Sequence, residues 1–212
     1  MRVMETKIYT YEELNDAAKA KAREWYAGLA FSDSNDWDYV FDDAVRMAEI
    51  LGIDVDTKPI KLMGGGVGSK PVIYFSGFWS QGDGACFEGY YRYKKGAAKA
   101  IREEAPEDKE LHRIADALQA VQRRHFYKLR ASMSHHGRYS HSGCMSVDVE
   151  HYDDRYRDIG DAEDEVTQLM RDFADWIYDQ LEKEYEYQTS DEQVAESIIA
   201  NEYEFTEDGA RA

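Results

Sequence analysis

The sequence predicts an α+β fold in one domain over residues 1–212: a small antiparallel sheet packed by five or six helices, with residues 153–212 as an acidic helical part. Three observations carry this expectation. Apolar residues recur at three- and four-residue steps in several separate stretches. Short runs rich in β-branched and aromatic residues sit between glycine-containing turns. Helical and extended segments are segregated rather than alternating as βαβ units.

The elements follow in chain order. Ile8 and Tyr9 suggest a short strand. Thr10 with Glu13 is a capping-box pattern that predicts a helix start. Tyr11, Leu14, Ala18, Ala22, Trp25 and Leu29 then form one apolar stripe. Residues 32–36 are polar and read as a loop. A second helix presents Val40, Phe41, Ala44, Val45, Ala48 and Leu51, and Gly52 stands where a left-handed C-cap belongs. Residues 53–55, 60–63, 71–75 and 85–93 read as strands, and residues 64–68 as a glycine-rich loop. That loop lacks the Lys-Ser/Thr and the helix start of a phosphate cradle. Asp83-Gly84 is a hairpin-turn signal, and Gly89 points to a bulge or a close backbone approach.

Residues 94–105 read as a helix, and 108–131 as a longer one carrying Leu111, Ile114, Ala115, Leu118, Val121 and Leu129. Residues 138–140 and 145–151 look extended. Val147 and Val149 alternate with Asp148 and Glu150, as in a strand with one wet face. A long helix is expected over 161–187, and Ser190 with Gln193 opens a last one through Ala200. Tyr203 and Phe205 return as a strand.

Composition narrows the function classes. No apolar run approaches the roughly 18–20 residues of a membrane span, and the first ten residues have no apolar signal core. Two cysteines, Cys86 and Cys144, make no disulfide framework and suit a reducing, cytoplasmic setting. The net charge of −17 is uneven. Residues 153–208 hold twenty acidic and four basic residues, whereas no Asp or Glu occurs between Ala117 and Val147.

The stretch 74–89, Tyr-Phe-Ser-Gly-Phe-Trp-Ser-Gln-Gly-Asp-Gly-Ala-Cys-Phe-Glu-Gly, resembles the signature of a bacteriophage and prophage protein family often labelled as antitoxins of toxin–antitoxin stability systems. Tyr11-Glu12-Glu13-Leu14, residues 19–26 and residues 201–209 are similar to that family too. The resemblance covers nearly the whole chain. It implies a phage-borne protein acting in the cytoplasm of a bacterial host, and it supplies no catalytic residues.

Four constellations are candidates for function. In the 76–89 hairpin, Ser76, Ser80, Gln81 and Asp83 converge on a ligand or partner, or Asp83 and the serines cap their own turn. His135, His136, His141 and Cys144 lie within ten residues. They read as zinc ligands with Cys86 as a distant fourth, as a Cys–His nucleophilic pair, or as a polar loop anchored by Tyr139 and Met145. The basic segment with Arg123, Arg124, Lys128, Arg130 and Arg138, interleaved with Tyr127 and Tyr139, suits phosphate contacts or docking against the chain's own acidic helices. Asp175, Asp179, Glu182 and Glu186 recur at steps of four, three and four. Along a helix this makes a carboxylate line spaced by about 4.5–6 Å, comparable with phosphates on one nucleic-acid strand.

The expectation is therefore a non-enzymatic accessory protein, antitoxin-like or an anti-defence inhibitor. Its acidic surface would compete for a basic or nucleic-acid-binding protein surface, with no cofactor, no metal and no membrane. Direct nucleic-acid binding is the weaker reading. The alternative is a small enzyme acting on a nucleotide or nucleic acid through the 76–89 hairpin and the His141/Cys144 loop.

Overall fold

The computed structural model describes residues 7–30, 37–155 and 157–212, with backbone only at 29 and 30. The Leu29 side chain and the 32–36 loop lie outside the described residues. The chain is mixed α and β, with six helices and small antiparallel sheets among the described residues. Where composition suggested one domain, the contacts group into two compact units: Met1–Trp37 with Glu182–Ala212, and Asp38–Leu181. The charge boundary at Asp153 is not a structural one. It falls inside the central unit, and the longest helix crosses from that unit into the terminal one.

The terminal unit pairs β1 (Tyr9–Thr10) with β10 (Glu204–Phe205) antiparallel. The Thr10/Glu13 pattern is present, with the Glu13 carboxylate accepting from the Thr10 amide at 2.9 Å. It opens only a three-residue 3-10 turn, Tyr11–Glu13. The helix proper, α1 (Asp16–Ala30), starts one turn later, where the Asn15 side chain accepts from the Ala18 amide at 3.0 Å. Asn15 is thus the cap, since its short side-chain oxygen satisfies an amide that has no intrahelical partner. The predicted stripe is buried at Tyr11, Leu14, Ala18 and Ala22, which pack with Val194, Ile198 and Phe205. Val194 and Ile198 come from α6 (Asp191–Ala200), capped as expected by Ser190 accepting from the Gln193 amide. Trp25 closes this core edge-on to Tyr203 and Phe205, with ring centroids 5.3 and 5.8 Å away. Each fully buried large apolar side chain there is worth about 1.5–3 kcal/mol.

The central unit begins with α2 (Asp38–Leu51), which buries Val40, Ala44, Met47, Ala48 and Leu51 and ends on Gly52 at φ 90°. Its main sheet has the order β2 (Ile53–Val55), β7 (Gly89–Arg92), β8 (Leu129–His135), β9 (Met145–His151), all antiparallel. Two hairpins stand beside it: β3 (Thr57–Lys61) with β4 (Val67–Pro71), and β5 (Ile73–Phe75) with β6 (Ala85–Phe87). Residues 71–75 are therefore not one strand. Val72 divides them, and its amide turns to the Asp56 carbonyl. The 64–68 loop is the turn of the first hairpin, with Val67 and Gly68 already in β4.

Helices α3 (Ala97–Glu104), α4 (Lys109–Arg124) and α5 (Ala162–Thr189) as far as Leu181 complete the unit. Asp108 caps α4 by accepting from the Leu111 amide at 2.9 Å, and its other oxygen accepts from the Trp176 indole at 2.7 Å. One face of the main sheet is buried: Ile53, Val55, Tyr91, Leu129, Ala131, Met133, Met145 and Val149. The other face presents Asp54, Tyr90, Arg92, Arg130 and Asp148 to solvent. The wet-faced strand expected at 145–151 is β9, in those bounds.

Two expectations fail here. The helix read over 108–131 stops at Arg124, and 129–135 is a central strand. Gln122 decides this. Its fully buried side chain donates to the Leu129 carbonyl at 2.8 Å and accepts from the Leu129 amide at 3.2 Å, so it mimics a strand partner. The chain reverses between them with Phe126 at φ 54° and Tyr127 at φ 63°. No strand forms at 138–140 either; Tyr139 and Ser140 belong to a loop before the 3-10 turn Ser142–Cys144.

Candidate functional site

The 76–89 hairpin is built differently from a two-residue turn. Phe75 pairs with Ala85, so residues 76–84 form a nine-residue connection. Within it the Asp83 amide donates to the Ser80 carbonyl at 3.0 Å, and the Asp83 carboxylate accepts from the Ser80 amide at 2.5 Å. Asp83 therefore stabilises its own turn. Ser76, Ser80 and Gln81 are exposed and make no side-chain hydrogen bond among the described residues, and Trp79 beside them is 76% exposed.

The two loops meet. A Cβ on Gly82 would lie 2.2 Å from the Tyr139 ring, and one on Gly84, at φ 158°, would lie 2.6 Å from the His141 Cα. Only glycine lets the backbone approach this closely. Glu88, between β6 and β7, ties the hairpin to the main sheet, accepting from the Tyr74 hydroxyl at 3.1 Å and the His135 amide at 3.3 Å. Burial and that carboxylate raise the Tyr74 hydroxyl above the usual tyrosine value. The β7 glycine, Gly89, shows the close approach expected of it: a Cβ would sit 2.2 Å from the Asp54 carbonyl oxygen.

His141 and Cys144 are in contact, with Nε2 3.3 Å from Sγ. The imidazole has no other hydrogen-bond partner among the described residues that would orient it as the base of a nucleophilic triad, and its ring stacks near Tyr139 at 6.3 Å. The second thiol, Cys86, is buried and pushed up to about 12, first by burial and then by Cys144 and Glu88. His135 turns to the Tyr139 carbonyl at 2.7 Å, and His136 is within 3.3 Å of the Ser134 hydroxyl. Among the described residues, no three His, Cys, Asp or Glu side chains are grouped to hold a metal ion.

The basic segment is engaged by the chain's own carboxylates. Arg124 pairs with Glu165, Lys128 with Asp153, and Arg130 with Glu150 at 2.7 Å. Only Arg123 and Arg138 of the five make no ion pair among the described residues. In contrast, Asp175, Asp179, Glu182 and Glu186 are all exposed along α5. Two belong to the central unit and two to the terminal unit. The terminal unit holds seventeen acidic and seven basic residues, a net charge of −10. Among the described residues, Lys21–Asp208 and Arg23–Asp191 neutralise two of its carboxylates. Glu182, Glu186, Glu192, Glu196, Glu202 and Glu207 are exposed and make no ion pair among the described residues.

Sequence reasoning overlooked the open face of the main sheet. A cavity of about 430 Å³ lies there, at the end where β7 finishes and β8 begins. Tyr90, Arg92, Tyr93, Tyr127, Arg130 and Tyr152 line it. The missed signal was the Gly-Tyr-Tyr-Arg run of β7, whose alternation places Tyr90 and Arg92 on the wet face.

These features define an acidic α+β protein with an exposed carboxylate surface, a glycine-built loop contact and an aromatic sheet face, and with no helix among the described residues long and apolar enough to cross a membrane. The chain belongs to the family described as a domain of unknown function (DUF8835), which it matches over residues 37–191. No curated protein and no solved structure matches it.

Proposed function

We propose that the protein acts by binding rather than by catalysis, with the acidic surface of the terminal unit docking on a basic macromolecular partner. The observation that carries this reading is the exposed run of carboxylates from Glu182 to Glu207, most of them unpaired among the described residues, on a unit of net charge −10. Such a field attracts a basic surface over roughly a Debye length, about 8–10 Å in physiological salt, and speeds the encounter. The partner is a nucleic-acid-binding host or phage protein whose groove the carboxylates occupy in place of phosphates. The resemblance to phage proteins labelled as antitoxins supports an antitoxin-like or anti-defence role. The exposed tip of the 76–84 loop offers a separate contact in the central unit.

The binding reading is favoured over the enzymatic alternative on two observations. Asp83 spends its carboxylate on the Ser80 amide, and His141 lacks an orienting hydrogen-bond partner among the described residues. The test of the binding reading is a pull-down from host lysate at about 50 mM and about 300 mM salt. The wild type is compared with a Glu182→Lys, Glu186→Lys, Glu192→Lys variant. A partner that is retained at low salt by the wild type and lost from the variant supports the reading. Equal recovery by both proteins, or no partner at either salt, refutes it.

A further inference from the structure

We propose that the cavity on the open face of the main sheet is a nucleotide-binding site, with the base stacked on Tyr127 and the phosphate held by Arg92. The site is independent of the acidic surface and lies wholly within the central unit. Its volume of about 430 Å³ falls within the range of small-ligand pockets.

Three aromatic side chains collect at one end of the sheet: Tyr93 just after β7, Tyr127 just before β8 and Tyr152 just after β9. The Tyr93 and Tyr127 rings lie 4.4 Å apart at 34°, forming one wall. Tyr127 lines the cavity and keeps 44% of its surface exposed. At φ 63°, its amide donates to the main-chain carbonyl of Gln122 at 2.7 Å. A bulky residue at positive φ is strained, and such strain persists only where surrounding structure enforces it. The Arg130 guanidinium, also lining the cavity, lies over the Tyr152 ring at 5.4 Å. A planar heterocycle gains offset stacking in such a setting.

The charge of the cavity is opposite to that of the protein. Arg92, Lys128 and Arg130 line it against Asp54, in a chain of net charge −17. Lys128 and Arg130 are engaged by Asp153 and Glu150. Arg92 is exposed and has no ion pair or side-chain hydrogen bond among the described residues, which leaves its fork of donors for a phosphate. An adjoining hollow of about 410 Å³ shares Arg92, Tyr93 and Asp54 and adds Lys94, so phosphate and sugar have room beside the base. The Asp54 carboxylate is an acceptor suited to a ribose hydroxyl. A single nucleotide fits better than a polynucleotide, because the net negative charge repels a long phosphate chain.

The test uses the full chain in titration calorimetry with the four ribonucleoside monophosphates, adenosine, inorganic phosphate and a single-stranded oligonucleotide. Saturable binding of at least one monophosphate, tighter than adenosine or phosphate alone, is the expected result. Arg92→Gln and Tyr127→Leu should each weaken it by about tenfold or more. Should Tyr127→Leu disturb the turn, Arg92→Gln decides alone, since that exposed side chain makes no ion pair or side-chain hydrogen bond among the described residues. The proposal is overturned if no monophosphate binds at about 1 mM, if only the oligonucleotide binds, or if Arg92→Gln binds as the wild type does.

Discussion

Cys86 and Cys144 are chemically distinct although close enough to influence each other. Cys86 has no exposed surface, and burial holds its thiol protonated, with the ionisation pushed up to about 12. The thiolate is the form that alkylates, so native protein treated with iodoacetamide at neutral pH should be modified at Cys144 and spared at Cys86. Peptide mass spectrometry reads this directly, and modification of Cys86 at an equal rate would contradict the buried placement. His125 supplies a pH dependence. Burial first, then Arg124, Arg157 and His151, lower it below its ordinary value of 6.5. The unfolded chain therefore takes up this proton at a higher pH than the folded one. Stability falls as pH drops through 6.5, and the loss is complete below the folded value. His125→Gln should flatten the decline in melting temperature between about pH 7.5 and about pH 5.5. An unchanged slope would assign the dependence to other groups.

At the scale of elements, the loop 76–84 and the loop before β9 act as one packed pair. Gly84 faces the His141 backbone so closely that any Cβ would clash. Gly84→Ala should cost about 1–3 kcal/mol by strain and forced separation, seen as a lower denaturation midpoint with an unchanged slope. A cost near zero would show that the loops do not touch. The hairpin was legible in the sequence as a glycine-rich turn between two strands, and so was the reading in which Asp83 caps its own turn. So was its length, since the strands read on either side end at Phe75 and begin at Ala85; what was not legible is the partner of the Asp83 carboxylate, the Ser80 amide. The end of α4 was misread for a similar reason. Helical spacing continues through Leu129, but the Gln122 side chain supplies strand-like hydrogen bonds to that residue from seven positions away.

Across the whole molecule, charge is the property with consequences. Added salt screens like charges within the terminal unit, so melting temperature should rise between low and moderate ionic strength. The Glu182→Lys, Glu186→Lys, Glu192→Lys variant should show a smaller rise. A fall with salt in the wild type would mean that ion pairs such as Lys21–Asp208 outweigh the repulsion.

Local physics was sufficient for the helical stripes, the cap at Ser190, the bounds of β9 and the acidity of the last quarter, since each depends on residues within a turn or two of one another. Which strands pair, where α4 stops, that Tyr139 and His141 rest on Gly82 and Gly84, and that four tyrosines and Arg92 surround one hollow were decided by tertiary structure alone. Those features join residues far apart in the chain, and a buried amide or ring is satisfied by whichever partner the packing brings to it, not by its neighbours in sequence.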